Sequence, residues 1–195
     1  MRLFLAIFPP KEYLDYFRDV VRKFDKEKRN LKPVNLEQIH LTLRFIGANV
    51  SLGSKNRLAK SFLTFSGNFA KPEIKLGELA FGFPRQHDPR VLLADVHEND
   101  ELNLLSNQIH KLIRDQHLHD TIRWKSKQDT DFHMSLARLK PAATRSTGRN
   151  VKAILENVRL PMPESFVAEE MYLMQSTVPR GGGSPVYKKL EKIKL

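Results

Sequence analysis

Two short stretches of the chain set an imidazole and a hydroxyl two residues apart: His40-Leu41-Thr42 and His133-Met134-Ser135. Alternate residues of a β-strand share a face. In the run 38–47, His40, Thr42 and Arg44 therefore form one row, with steps of about 7 Å, and Ile39, Leu41, Leu43 and Phe45 form an apolar row behind it. In the run 132–138, His133 and Ser135 share a face, with Met134 and Leu136 opposite. Two imidazoles that face each other can serve as acid and base near neutral pH. A hydroxyl two positions on points into the same space and can donate to an oxyanion. In this composition the pattern His-apolar-[Ser/Thr]-apolar arises by chance about 0.1 times. Two copies, each in a strand-like run, therefore point to one site built from both.

Neither row holds a carboxylate, which argues against a serine-hydrolase triad and against a metal held by acidic ligands. The parts suit a phosphate, so no metal and no cofactor are expected. His110, His117 and His119 form a further cluster with ligand-type side chains. Their setting, at a helix end and in a polar loop, reads as solvated surface.

Something must hold these rows face to face. Apolar spacing predicts a strand over 3–8, ended by Pro9-Pro10, and a helix over 11–28 that turns Tyr13, Phe17, Val20 and Phe24 to one side. Residues 30–37, with Pro33, read as a loop before the first histidine strand, which Gly47 closes. A helix over 54–65 follows, then strands over 73–81 and 91–97 joined by a Gly/Pro-rich connection. A second long helix is predicted over 99–117, then a polar stretch, 118–131, that contains Trp124. The second histidine strand ends near Pro141, and a short helix is predicted over 147–157. Strands over 166–176 and 187–194 read as a closing hairpin across Pro179-Arg180-Gly181-Gly182-Gly183. A glycine-rich run can cradle phosphate where it opens a helix, but this one opens none.

The halves repeat one order: long helix, loop, histidine strand, shorter helix, strand pair. The predicted fold class is α+β: two pseudo-symmetric lobes of mainly antiparallel sheet, helices on the outer faces, and an active-site cleft between them. Residues 1–195 read as one bilobal domain, since no linker separates the lobes.

Composition bounds the function. A chain of 195 residues, 41% hydrophobic and 28% charged, is globular with a substantial core. It has no cysteine, which excludes disulfides, thiolate metal sites and cysteine nucleophiles and suits a reducing cytoplasm. The opening apolar run is too short for a signal peptide and lacks a cleavage pattern. No run approaches the roughly 20 residues of a membrane span, so a cytoplasmic monomer without a membrane partner is expected. The net charge of +11 suits a polyanion, nucleic acid above all.

Taken as whole segments, the chain resembles the 2H phosphoesterase superfamily. Within it the chain is similar to the RNA 2′,3′-cyclic phosphodiesterases, also called LigT-like proteins or 2′-5′ RNA ligases. Arg2-Leu3-Phe4-Leu5-Ala6 is similar to that family's first strand. Leu36-Glu37-Gln38-Ile39-His40-Leu41-Thr42-Leu43-Arg44-Phe45-Ile46-Gly47 resembles its most characteristic segment, and His133-Met134-Ser135-Leu136-Ala137-Arg138 its second motif. Residues 179–187 resemble its Gly-rich approach to the last strand. Ser135 stands where threonine is more usual, Phe132 where proline is common and Leu31 where an aromatic is common.

The resemblance implies that His40 and His133 are the acid/base pair. It implies that Thr42 and Ser135 hold phosphate oxygens and that Arg138 adds charge there; Arg44, in the first row, joins the phosphate-binding set. In a regular strand Arg138 falls on the face opposite His133, so its role requires a bulge or a strand end. The implied reaction is hydrolysis of an RNA-terminal 2′,3′-cyclic phosphate to a 2′-phosphate, without a cofactor. The same geometry would join an RNA 5′ hydroxyl to the cyclic phosphate in a 2′-5′ linkage. The implied partner is RNA with a cyclic phosphate end, tRNA fragments included. The alternatives are a 2H phosphodiesterase for another cyclic or 2′-5′-linked nucleotide, and a non-catalytic RNA-binding module on the same fold.

Overall fold

The computed structural model describes residues 1–83, 86–115, 131–179 and 185–195. Trp124, His117, His119 and the three glycines of the predicted hairpin turn lie outside the described residues. The alternation read at the start of the chain forms β1 (Arg2–Ile7). Its Leu3, Leu5 and Ile7 enter the main core, while Phe4 and Ala6 turn to the opposite face. Pro10 then stands at the N-cap of α1 (Lys11–Arg22), which buries Tyr13, Tyr16, Phe17 and Val20.

The helix predicted to residue 28 ends earlier. Lys23 and Phe24 donate to Val20 and Val21, both at 3.0 Å, so the bonding tightens to i→i+3, and a 3₁₀ turn follows at Asp25–Glu27. Phe24 remains buried, so the apolar spacing runs on through the change and conceals it. The predicted loop also contains a strand, β2 (Leu31–Pro33). It is three residues long and ends in a proline, which cannot donate to a ladder and is tolerated at a sheet edge. Neither feature carries a strand signal.

The remaining elements are β3 (Leu41–Gly47), α2 (Leu52–Thr64), β4 (Glu73–Ile74), β5 (Leu76–Phe81), β6 (Val91–Val96), α3 (Asp100–Asp115), β7 (His133–Leu139), α4 (Arg145–Leu155), β8 (Phe166–Val167), β9 (Glu170–Thr177) and β10 (Val186–Lys194). Side chains satisfy free N–H groups at three helix starts. Ser51 accepts from Ser54, Asn99 from Leu102 and Thr144 from Thr147.

Every strand pairing among the described residues is antiparallel. The main sheet runs β10-β9-β1-β3-β7-β6-β5, with β2 beside β7. The halves exchange hairpins. β5 and β6 follow the first histidine strand but extend the sheet beside the second; β9 and β10 follow the second but join the first through β1. The predicted strands 73–81 and 166–176 are each broken. Their opening residues leave the main sheet and pair with each other, Glu73 with Val167 and Ile74 with Phe166. The helices are exchanged as well: α3 packs on β3, and α1 packs on β7.

All four helices contribute to one apolar core with Leu3, Leu5, Leu41, Leu43, Met134 and Leu136. Each large apolar side chain fully buried there contributes about 1.5–3 kcal/mol. A smaller cluster of Phe4, Ala6 and Met174, with Phe8, Tyr172 and Tyr187 against it, lies on the other face of β1. No helix among the described residues is long and apolar enough to cross a membrane.

Candidate active site

The two histidine strands meet at one pairing among the described residues, Leu41 opposite Met134. Both side chains are fully buried in the core. Alternation therefore sends His40, Thr42, His133 and Ser135 to the opposite face. Extending that register by one residue sets His40 across from Ser135 and Thr42 across from His133. The two histidines are then diagonal neighbours, with backbones roughly 7–8 Å apart. β3 continues along β1 and β7 along β6.

Each imidazole is held in the same way. His40 Nδ1 lies 2.6 Å from the Gln38 carbonyl oxygen, and His133 Nδ1 lies 2.8 Å from that of Asp131. A carbonyl can only accept, so Nδ1 carries the proton in each ring and donates it. Nε2 is left as the nitrogen that can exchange a proton with a ligand. At His40 the local sequence explains the geometry. Asn35 Oδ1 accepts from the Glu37 N–H, and a 3₁₀ turn at Leu36–Gln38 brings the Gln38 carbonyl back toward the ring.

Aromatic rings fix the other faces. Phe4 stacks on His40 at 5.0 Å, with Tyr187 edge-on at 5.2 Å and Phe8 at 5.8 Å. This enclosure leaves His40 only partly exposed. Burial is the main cause that pulls the His40 pKa below its ordinary value. The Gln38 carbonyl opposes the shift, and the charges of His133 and Arg138 reinforce it. Phe83 packs edge-on against His133 at 4.8 Å. It follows Gly82, whose φ of +86° lies in the left-handed region and whose added Cβ would meet Pro89 at 2.2 Å.

His40, Thr42, His133, Ser135 and Arg138 line one pocket of about 300 Å³, together with Lys32, Pro33, Val34, Asn35, Gln38, Pro185 and Tyr187. Arg138 reaches it through a bulge. Leu92 pairs with Ala137 while Leu93 pairs with Ser135, so Leu136 is the extra residue. Leu136 and Ala137 are both fully buried in succession, and the next residue, Arg138, returns to the face of Ser135.

A register shift in β3 has the contrary effect. Thr42 pairs with Ala6 but Arg44 pairs with Leu5, a residue of the main core. Arg44 is not among the residues that line the pocket, and burial pulls its pKa down. The same shift moves Phe45 out of the predicted apolar row. It is 41% exposed, with the Arg2 guanidinium 4.4 Å from its ring centre, and Ile46 takes its place in the core.

Two residues that the sequence did not mark as site residues line the pocket. Lys32 arrives on the unforeseen β2, and Tyr187 arrives on β10 from the far end of the chain. Asp95, in β6, pairs in register with His133 but is not among the residues that line the pocket. Burial raises the Asp95 pKa, and the charge of His133 opposes that rise. Among the described residues no group of three or more His, Cys, Asp or Glu side chains is gathered as a metal site. His110 lies in α3.

No protein-family model matches the chain. A curated relative from Archaeoglobus fulgidus, named RNA 2′,3′-cyclic phosphodiesterase, is 26% identical over 97% of this chain and 98% of its own length. Among solved structures, TT0787 of Thermus thermophilus superposes with a TM-score of 0.74 at 26% identity, over 100% of this chain and 98% of its own. E. coli LigT in its apo form gives a TM-score of 0.68 at 21% identity, over 99% and 96%. LigT has also been solved with 3′-AMP and with phosphate. The α+β antiparallel fold expected from the sequence is the LigT fold.

Proposed function

We propose that this chain, a sequence relative of an RNA 2′,3′-cyclic phosphodiesterase built on the LigT fold, hydrolyses the 2′,3′-cyclic phosphate at an RNA end to a 2′-phosphate. One observation carries the reading: two imidazoles pinned alike through Nδ1, each with a hydroxyl two residues on, lining one pocket. A static RNA-binding surface has no need of that duplication.

The roles follow from environment. Burial lowers the His40 pKa and so favours its neutral form, the form in which Nε2 takes the proton from water. The water oxygen attacks phosphorus, and the bond from phosphorus to O3′ breaks. His133 Nε2 gives its proton to O3′, and the product keeps its phosphate on O2′. Thr42, Ser135 and Arg138 hold the phosphate oxygens as charge builds on them. In-line displacement requires the two proton carriers on opposite sides of phosphorus, and the diagonal placement of the histidines about the Leu41–Met134 pairing supports that reading. With an RNA 5′ hydroxyl in place of water, the same step would pass the hydroxyl proton to His40, break the bond from phosphorus to O3′ with the His133 proton going to O3′, and leave a 2′-5′ linkage. With a net charge of +11 and no cysteine, the chain suits a cytoplasmic monomer acting on RNA, tRNA fragments included.

The test is turnover of uridine 2′,3′-cyclic phosphate and of a short RNA with the same terminus, followed by ³¹P NMR. The expected product is a 2′-monophosphate. An unchanged cyclic phosphate would reject the enzyme reading, and a 3′-monophosphate would reject the assigned leaving group.

A further inference from the structure

The pocket has two unlike ends. One is aromatic: Tyr187 lines it, and Phe4 and Phe8 stand with it around His40. The other is cationic. Lys32 in β2 stands directly opposite Arg138 in β7, and both line the pocket. Like charges opposed on neighbouring strands repel. Both side chains are exposed, and neither makes a salt bridge among the described residues. Two like charges held side by side at a pocket wall are placed to receive an anion.

The backbone fixes Lys32 there. Its neighbours Leu31 and Pro33 pair with Leu139 and Ala137, and the Val34 N–H donates to the Leu136 carbonyl at 2.9 Å. The reacting phosphate belongs between the histidines, above the Leu41–Met134 pairing. Arg138 lies beyond Ser135 on that face by about 7 Å, once the bulge is allowed for. Lys32 lies roughly 5 Å farther to the side, one strand away. A guanidinium on its long stem reaches back toward the reacting phosphate, whereas Lys32 is set for a different anion. An RNA that ends in a cyclic phosphate carries its next phosphate on O5′ of the terminal ribose. A mononucleoside cyclic phosphate carries none.

We propose that Lys32 binds the phosphodiester on the 5′ side of the terminal nucleotide, with Arg138 between it and the reacting phosphate. The site thereby selects oligonucleotide ends over mononucleotides. This rests on the function proposed above and names the feature of the substrate that the pocket reads.

The experiment measures binding apart from turnover. Fluorescence anisotropy follows a single-stranded pentaribonucleotide with a 3′-terminal phosphate, and uridine 3′-monophosphate is measured by competition. Lys32→Gln should weaken the pentanucleotide about tenfold, the scale of one charge-assisted hydrogen bond. It should also make the slope of log K against log salt shallower by about 0.7. The loss for the monophosphate should be several times smaller, and Lys32→Arg should restore the pentanucleotide. In turnover, Lys32→Gln should lower the ratio of kcat/KM for the cyclic-ended pentanucleotide over that for uridine 2′,3′-cyclic phosphate by the same factor. Equal losses on both ligands would assign Lys32 to the reacting phosphate and overturn the proposal. So would an unchanged pentanucleotide affinity and salt slope, or a wild-type protein that binds both ligands equally. A wild-type protein that binds but hydrolyses neither substrate would overturn the enzymatic function instead, and the binding comparison would still decide Lys32.

Discussion

His40 is enclosed by Phe4, Phe8 and Tyr187, and that burial disfavours its imidazolium form. A depressed pKa means that the neutral ring persists to lower pH than in a free histidine, whose pKa is about 6.5. An NMR titration of the substrate-free protein should therefore place His40 below 6.5, and the acid limb of kcat/KM should fall there too. Arg138→Gln removes a positive charge that presses the same way, so it should move the His40 midpoint upward. A midpoint at or above 6.5 in the wild type would remove the reason for assigning His40 as base. The same shift bears on stability. The unfolded chain binds its proton first as pH falls, so the contribution of His40 is complete above about 6.5 and is lost as pH drops through its lower folded value. His40→Ala and His133→Ala should each slow hydrolysis of a 2′,3′-cyclic nucleotide by roughly 10²–10⁴-fold. The double variant should lose far less than the product of the two, because the pair acts as a unit. Thr42→Ala and Ser135→Ala remove a single donor and should each cost at most about 10²–10³-fold. Near wild-type rates in both folded single-histidine variants would put the chemistry elsewhere.

Strand irregularities decide which side chains reach the pocket. One extra residue in β7, Leu136, brings Arg138 in, and a slip between β1 and β3 leaves Arg44 out. The connection after β5 works in the same spirit. Gly82 adopts a φ of +86° and lies so close to Pro89 that a Cβ would overlap it. Phe83 then reaches the His133 ring. Gly82→Ala should destabilise the protein by more than about 1 kcal/mol, seen as a lower urea midpoint at unchanged m-value. It should also reduce kcat on a cyclic nucleotide, because the packing that orients His133 shifts. Unchanged stability in that variant would mean that the turn accommodates a side chain and does not restrain Phe83.

The whole molecule carries a net charge of +11, and its pocket offers imidazoles and hydroxyls for chemistry. Two solution properties should follow. For an RNA substrate, kcat/KM should fall steadily with salt, because binding releases counterions from the RNA. The fall should be steeper than for a mononucleoside cyclic phosphate, which has a single charge to neutralise. Turnover should also be unaffected by a chelator, since an imidazole that gives up a proton as acid must hold that proton where a metal would bind. Activity abolished by chelation and restored by a divalent ion would contradict the two-histidine mechanism.

The order of the long helices and strands and the two histidine rows were legible in the sequence because each rests on local periodicity, and the antiparallel α+β class because strand pairs follow one another with no helix between. His40 with Thr42, and His133 with Ser135, need only a period of two over three residues, and no bulge falls between them. The parity of Arg44 and Arg138 was not legible, because a single inserted residue reverses it, and the insertion is defined only by the partner strand. β2 was missed because three residues ending in proline give no pattern; its pairing with β7 supplies the order that its own sequence lacks. Lys32 and Tyr187 reach the site on β2 and β10, and no local pattern marks them. Local chemistry and alternation determined which side chains could do the work. Pairing between distant strands, and the exchange of hairpins between the halves, decided which of them meet, because contacts at long sequence separation leave no period in the chain.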